Sequence, residues 1–200
     1  MSPVNPAGGS GLKEGRGSWV TPRWFAEQIG AFDIDPCSNP RSHIRAKIRL
    51  QLEAGDDGLL ECHGAGWYRS GEEEVRADGD VQAFVNPPYA NGQVIRWVRH
   101  WKHTRFAFLL RWDPSTQWFA ELFPHCTHVL FPYRRINFEP PPGVTASSNA
   151  YPHALFLRGP TTERLGLVSA LGYRLSVDTV TPLAQGNSYA RISEHTLGGA

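Results

Sequence analysis

"FVNPPYANGQ", residues 84–93, joins an apolar run to an amide, two prolines and a tyrosine. Proline has no N–H to give a β-ladder, fixes its own φ and restricts the residue before it. A strand that begins in "VQAFV" (81–85) must therefore end near Asn86 and pass into a stiff turn. Stiff polar turns at the carboxyl ends of buried strands are where open α/β sheets bind ligands. The stretch thus predicts an α/β domain with its site at one edge of the sheet.

Upstream, "TPRWFAEQIG" (21–30) reads as a short helix with Thr-Pro at its start and Gly30 at its end. "AFDID" (31–35) reads as a strand stopped by Pro36, "CSNPRS" (37–42) as a turn and "HIRAKIRLQ" (43–51) as a second strand. Glycine interrupts residues 53–67 too often for more than one helical turn, and residues 67–80 read as a polar surface excursion. Downstream, Asn91 is placed to cap a helix whose stripe is Val94, Val98 and Trp101. "RFAFLLR" (105–111), "THVLFP" (127–132) and "HALFLRG" (153–159) read as strands, and "DPSTQWFAELF" (113–123) as a helix between two of them. The proline-rich segment 137–151 reads as a long loop over the ligand edge. "TERLGLVSALG" (162–172) has helical spacing, and "YRLSVDTV" (173–180) suits an edge strand. These elements make one domain over 18–182, with a Gly/Pro/Ser-rich flexible tail at 1–17 and a second tail at 183–200.

The 200 residues carry a net charge of +1, which argues against a protein that coats nucleic acid by charge alone. The distribution is less even. Between Val81 and Trp112 there is no Asp or Glu, while Arg96, Arg99, Lys102, Arg105 and Arg111 all fall there. That is a basic face or simply solvated helix charge. Cys37, Cys62 and Cys126 are odd in number and widely spaced, so no disulfide framework and no metal site is expected. No apolar run is long enough to span a membrane and no leader pattern is present, so a cytoplasmic protein is expected.

Asn86, Pro87 and Tyr89 together fit an amine on a planar base. The Asn86 carboxamide and the Pro87 carbonyl offer two acceptors, and the Tyr89 ring a stacking face. An aromatic amine is a poor nucleophile because its lone pair is delocalised, and two acceptors on its hydrogens favour the nucleophilic geometry and stabilise the charge that develops. After "AFDID" there is no glycine-rich loop for a dinucleotide pyrophosphate, and the chain holds no P-loop.

Asn86-Pro87-Pro88-Tyr89 after an apolar strand resembles the catalytic motif of S-adenosylmethionine-dependent amino-methyltransferases. With "WVTP" (19–22), "FDIDPCSNP" (32–40), "DDGLL" (56–60), "FLLRWDPSTQWF" (108–119) and "RINF" (135–138), residues 19–157 resemble the phage-type, Dam-like DNA adenine-N6 methyltransferases. The resemblance implies a Rossmann-like methyltransferase fold with a single, mostly parallel sheet flanked by helices. It implies methylation of adenine N6 in DNA on a flipped base, by a phage or prophage protein acting inside a bacterial host. Asn86, Pro87, Pro88 and Tyr89 take the catalytic positions. Trp19, Thr21, Pro22, Asp35, Cys37, Asp57 and Asn86 fall at cofactor positions, with Asp33 and Asp56 as alternatives to their neighbouring aspartates. Tyr89, Arg111, Trp112 and Arg135 fall at the substrate edge. Cytosine N4, a protein glutamine amide, or a catalytically silent DNA-binding role are the rival readings, and oligomeric state is left open.

Overall fold

The computed structural model describes residues 19–59, 67–70, 73–76, 81–89, 92–145 and 151–177. The tails expected at 1–17 and 183–200 lie outside the described residues, as do Asn91 and residues 146–150 of the expected loop. The strands are β1 (Ala31–Ser38), β2 (Arg45–Gln51), β3 (Trp67–Ser70), β4 (Glu73–Arg76), β5 (Gln82–Val85), β6 (Arg105–Arg111), β7 (His128–Pro132), β8 (His153–Arg158) and β9 (Gly172–Ser176). The α-helices are α1 (Arg23–Gln28), α2 (Gln93–Trp101), α3 (Gln117–Leu122) and α4 (Thr162–Ser169).

Seven strands form one sheet in the order β2-β1-β5-β6-β8-β7-β9. Neighbours from β2 to β6 pair in parallel, whereas β8 is antiparallel to both β6 and β7, and β9 is antiparallel to β7. The sheet is therefore mixed, not mostly parallel as expected. An apolar run carries no mark of its direction; the connection sets it, and β7 reaches β8 without a helical crossover among the described residues. β3 and β4 form a separate antiparallel pair inside the stretch read as a polar surface excursion.

The long apolar runs follow from cover on both faces. Every residue from Phe106 to Leu110 is buried. On one face α2 and α3 pack Val94, Trp97, Val98, Trp101 and Leu122 against Ile34, Ala83, Phe108 and Phe156. On the other, Phe25, Ile29 and Val168 of the α1 and α4 segments meet Phe84, Leu109 and Leu155. The α2 stripe includes Trp97, which the sequence reading left out, and the helix is preceded by Gly92 at φ 70°, a left-handed conformation glycine adopts at little cost. Trp101 is fully buried, a burial that stabilises by roughly 2–3 kcal/mol.

Two departures from the expected strands shape the site. β1 runs past Pro36 to Ser38, with its pairing to β2 shifting between Asp35 and Ser38. A bulge is where a strand tolerates a residue without an N–H. Residues 39–44 then carry the chain back to a parallel β2 with no helix, fewer than the dozen or so that such a crossover usually takes. The return is held by Arg49, whose Nη2 donates to the Asn39 and Ser42 carbonyls at 2.8 and 3.4 Å.

At the amino edge of the sheet, Arg164 of α4 is buried and fastens several elements together. Its guanidinium donates to the Ile29 and Ala31 carbonyls and, at 2.9 Å, to Gln82 Oε1, and lies 3.8 Å from the Phe32 ring centre. Burial brings its pKa down to about 10, so it stays charged at neutral pH. No helix among the described residues is long and apolar enough to cross a membrane.

Candidate functional site

β1 is the switch point of the parallel region: the chain leaves it to β2 on one side and later returns to β5 on the other. Open α/β sheets bind ligands outside the carboxyl ends of their strands at such a point. Here that edge gathers the end of β1 (Asp35 to Ser38), the turn Asn86–Tyr89 after β5, Arg111 at the end of β6 and, because β8 runs the other way, Tyr151 and His153 at its start.

Asp35 is only 3% exposed. Burial pushes its carboxyl up to about 7, against the opposing pull of Ser38, the Cys37 N–H, Arg49 and Ser42. Asp33 is treated differently. Burial pushes it up too, but the Gln82 N–H at 3.0 Å and Lys47 at 2.9 Å outweigh that and hold it below the usual carboxylate range. Of the two sequence candidates, Asp33 is bound to β2 and β5, and Asp35 lies at the bulge beside the site. The half-buried Cys37 thiol is pushed up by desolvation and then by Asp35, while the Asn86 N–H hydrogen-bonds its sulfur.

The turn 56–59 is locked onto this strand end. A Cβ on Gly58 would lie 2.0 Å from the Pro36 carbonyl oxygen, and Trp101 Nε1 donates to the Gly58 carbonyl at 3.2 Å. Only glycine fits there, so the "DDG" segment is fixed against "DPC". Asp56 Oδ2 accepts from the Gln51 N–H at 2.7 Å and Asp57 Oδ1 from the Leu59 N–H at 2.9 Å. Asp57 also faces His100, whose pKa burial lowers while the Asp57 charge raises it.

After β5, Asn86 Nδ2 donates to Thr21 Oγ1 at 3.3 Å. Thr21 is buried, and the segment that carries it is clamped by reciprocal Val20–Glu139 backbone bonds of 2.9 and 2.8 Å. Glu139 also accepts from the Arg23 N–H at 3.1 Å and meets His43 Nε2 at 2.9 Å. The loop after β7 thus ties down the opening segment, which in turn orients the Asn86 amide. With Nδ2 committed to Thr21, Oδ1 is the acceptor that the amide has left to offer.

Tyr89 donates its hydroxyl to the Leu109 carbonyl at 3.2 Å, which fixes its ring beside β6. Burial pushes its phenol far up, so it stays protonated. The Arg111 guanidinium carbon lies 4.8 Å from the Tyr89 ring centre and 4.2 Å from that of Tyr151. His153 meets Tyr89 edge-on at 6.1 Å; burial brings its pKa down to about 4, against the pull of the Tyr151 carbonyl. The ring is neutral at physiological pH.

The other sequence candidates have contacts of their own. Trp112 stacks on Phe156 at 12° between planes and meets Phe119 and Phe131 edge-on, so its ring belongs to the aromatic packing under α3. Pro22 is buried at the start of α1, its carbonyl accepting from Phe25 and Ala26. Trp19 is half-buried and Arg135 exposed on the segment after β7. No group of three or more His, Cys, Asp or Glu among the described residues is placed to hold a metal. Thr21 as the partner of Asn86, and Tyr151 and His153 as neighbours of Tyr89, had no signal in the sequence reading.

Fold and site together define an α/β protein whose buried carboxylate and Asn-Pro-Pro-Tyr turn meet at the switch point of its sheet. No family model, curated protein or solved structure matches the chain.

Proposed function

We propose that this protein transfers a methyl group from S-adenosylmethionine to the N6 amine of adenine in DNA. One observation carries the reading: the Asn86–Tyr89 turn and buried Asp35 sit on adjacent strand ends, with the Asn86 amide turned by Thr21.

The donor set suits the methyl donor. Asp35 is a buried carboxylate that gains from an amino group or ribose hydroxyls, since each would offset the burial that now holds its pKa near 7. The helix-free return after β1 leaves no helix N-terminus for a pyrophosphate, which disfavours a dinucleotide. S-adenosylmethionine, when bound, supplies an electrophilic methyl group on a sulfonium sulfur. The chain does the rest by positioning. Asn86 Oδ1 and the Pro87 carbonyl accept the two N–H bonds of the amine, and the positive charge that grows on the nitrogen falls on those two oxygens. Tyr89 supplies the stacking face, which offsets part of the few kcal/mol that it costs to extrude a base from a duplex. Arg111 and Arg135 supply positive charge for the phosphate backbone.

The test is incubation of the purified protein with methyl-labelled S-adenosylmethionine and unmethylated genomic DNA, followed by nucleoside digestion and mass spectrometry. N6-methyladenine is expected. N4-methylcytosine alone would move the acceptor and keep the cofactor; no methylated base from protein that binds S-adenosylmethionine would overturn the reading in favour of a non-DNA acceptor or a silent binding protein.

A further inference from the structure

A methyl acceptor that stacks on Tyr89 needs the face of that ring, and the face already has an occupant. The Arg111 guanidinium, a flat cation, lies over both Tyr89 and Tyr151 at 4.8 and 4.2 Å. Tyr89 is held by its bond to the Leu109 carbonyl, and Tyr151 is 54% exposed at the start of the neighbouring β8 segment. Two tyrosines, one after β5 and one before β8 on either side of β6, thus flank one planar group.

Arg111 is poorly satisfied there. Its Nε is buried without a hydrogen-bond partner among the described residues. No carboxylate among the described residues forms an ion pair with its guanidinium, in contrast to Arg99, which is bidentate on Glu121. Among the described residues it is ring contacts that hold the guanidinium, and those are contacts that a purine makes as well, with a larger face and without a buried orphan donor.

We propose that Tyr89 and Tyr151 form the two walls of a slot for a single unpaired base, and that Arg111 fills the slot until the base enters. The inference rests on the methylation reading and deepens it: to the extruded base that reading already requires, it adds Tyr151 as a second wall and Arg111 as the group the base displaces. When the base arrives, Arg111 leaves the slot for the strand edge, where phosphates accept its N–H groups.

A slot filled in about nine molecules of ten costs an entering ligand about tenfold in apparent affinity. The probe is 2-aminopurine deoxyriboside, a fluorescent purine with no phosphate for Arg111 to attract, titrated into the full chain without cofactor. Arg111→Ala is expected to bind it about tenfold more tightly than the wild type, with stronger quenching by the stack. Adding Tyr151→Ala to that variant should remove the gain, because one base–aromatic stack contributes that much or more. Arg111→Leu keeps the apolar stem against its neighbours and serves if the alanine variant does not fold. Unchanged or weaker binding in a folded Arg111 variant overturns the proposal, as does a double variant that keeps the full gain. The readout is independent of methyl transfer: methylated DNA with unaltered nucleoside binding sinks the slot alone, whereas tighter nucleoside binding with no methylated DNA sinks the transfer alone.

Discussion

Strand β1 carries one aspartate toward each edge of the sheet, and the two edges treat their charges in opposite ways. At the amino edge Asp33 takes the Gln82 N–H and Lys47, and Arg164 takes two carbonyls and Gln82 Oε1. Those groups are closed upon one another and bind four elements together. At the carboxyl edge Asp35 is pushed up to about 7, His153 is held neutral, and Arg111 Nε lies buried without a partner among the described residues. Buried polar groups normally find partners, because an orphan costs roughly 1–3 kcal/mol. One such orphan, beside a carboxyl and an imidazole shifted by burial, sets the carboxyl edge apart; on the proposed reading a ligand would complete its hydrogen bonding, while Asp33 and Arg164 at the other edge hold the fold.

The sharpest way to break this contrast is Asn86→Ala. If the carboxyl edge does the proposed chemistry, the rate of methyl transfer should fall by about a hundredfold to a thousandfold, the loss expected when a preorganised polar contact to developing charge is removed. S-adenosylmethionine affinity and thermal stability should stay near those of the wild type, since Asn86 is half-buried and its amide makes one side-chain bond among the described residues. Near-normal rates in this variant would strip the edge of its catalytic role.

Asp35→Asn separates the edges by pH. A carboxyl whose pKa is about 7 folded and near 3.8 unfolded binds its proton more tightly in the native state, so folding stability falls as pH rises from about 4 to about 7 and is level above that. The whole penalty is on the order of 4 kcal/mol. Asp35→Asn should therefore be more stable than the wild type at pH 8, with the gap closing toward pH 4 in urea titrations. Its S-adenosylmethionine affinity should be weak and flat with pH, where that of the wild type climbs through pH 7. A variant with the wild-type stability slope would mean that Asp35 is not the group that titrates. The His153 slope has the opposite sign, because its depressed pKa makes stability fall as pH drops from 6.5 toward 4. Measurements at pH 8 avoid the overlap.

Arg164→Met tests the closed edge. It leaves the Ile29 and Ala31 carbonyls without their donor and should cost about 3 kcal/mol of stability. Methyl transfer per folded molecule, measured well below the melting temperature, should be unchanged. A large loss of rate in protein that is still folded would show that the two edges are coupled, and the contrast would fail.

How much of this the sequence discloses follows the same division. The central strands of the seven-stranded sheet were legible because continuous apolar runs are what a doubly covered sheet demands, whereas β3 and β4, short and polar, were not; the place of Asn86 was legible because two prolines must end a strand. The direction of β8, the bulge that lets β1 pass Pro36 and the helix-free return to β2 were not, since each depends on how distant segments meet. Arg164 sat unremarked in a helical pattern, and nothing local announces that its guanidinium reaches carbonyls 133 and 135 residues away. The motif positions at the site were readable one by one, but their partners were not. Tyr151 and His153 stood at the start of an ordinary strand, and Trp112, read at the substrate edge, has its ring packed on Phe156.

Thr21 makes the smallest and most discriminating test, because motif resemblance and geometry assign it different work. The resemblance gives it to the cofactor, whereas its hydroxyl accepts from Asn86 Nδ2 at 3.3 Å and so holds the amide in place with its oxygen left to accept. Thr21→Val keeps the buried shape and removes the acceptor, leaving Nδ2 unpaired at a cost of about 1 kcal/mol. If the hydroxyl positions Asn86, kcat should fall about fivefold to tenfold with the S-adenosylmethionine Kd unchanged, and Thr21→Ser should restore the rate. If it holds the cofactor instead, the Kd should rise by that factor with kcat intact at saturation. The positioning role requires that the first pattern appear, because an amide free to turn would present its N–H groups, which can only donate, to an amine whose own hydrogens need acceptors.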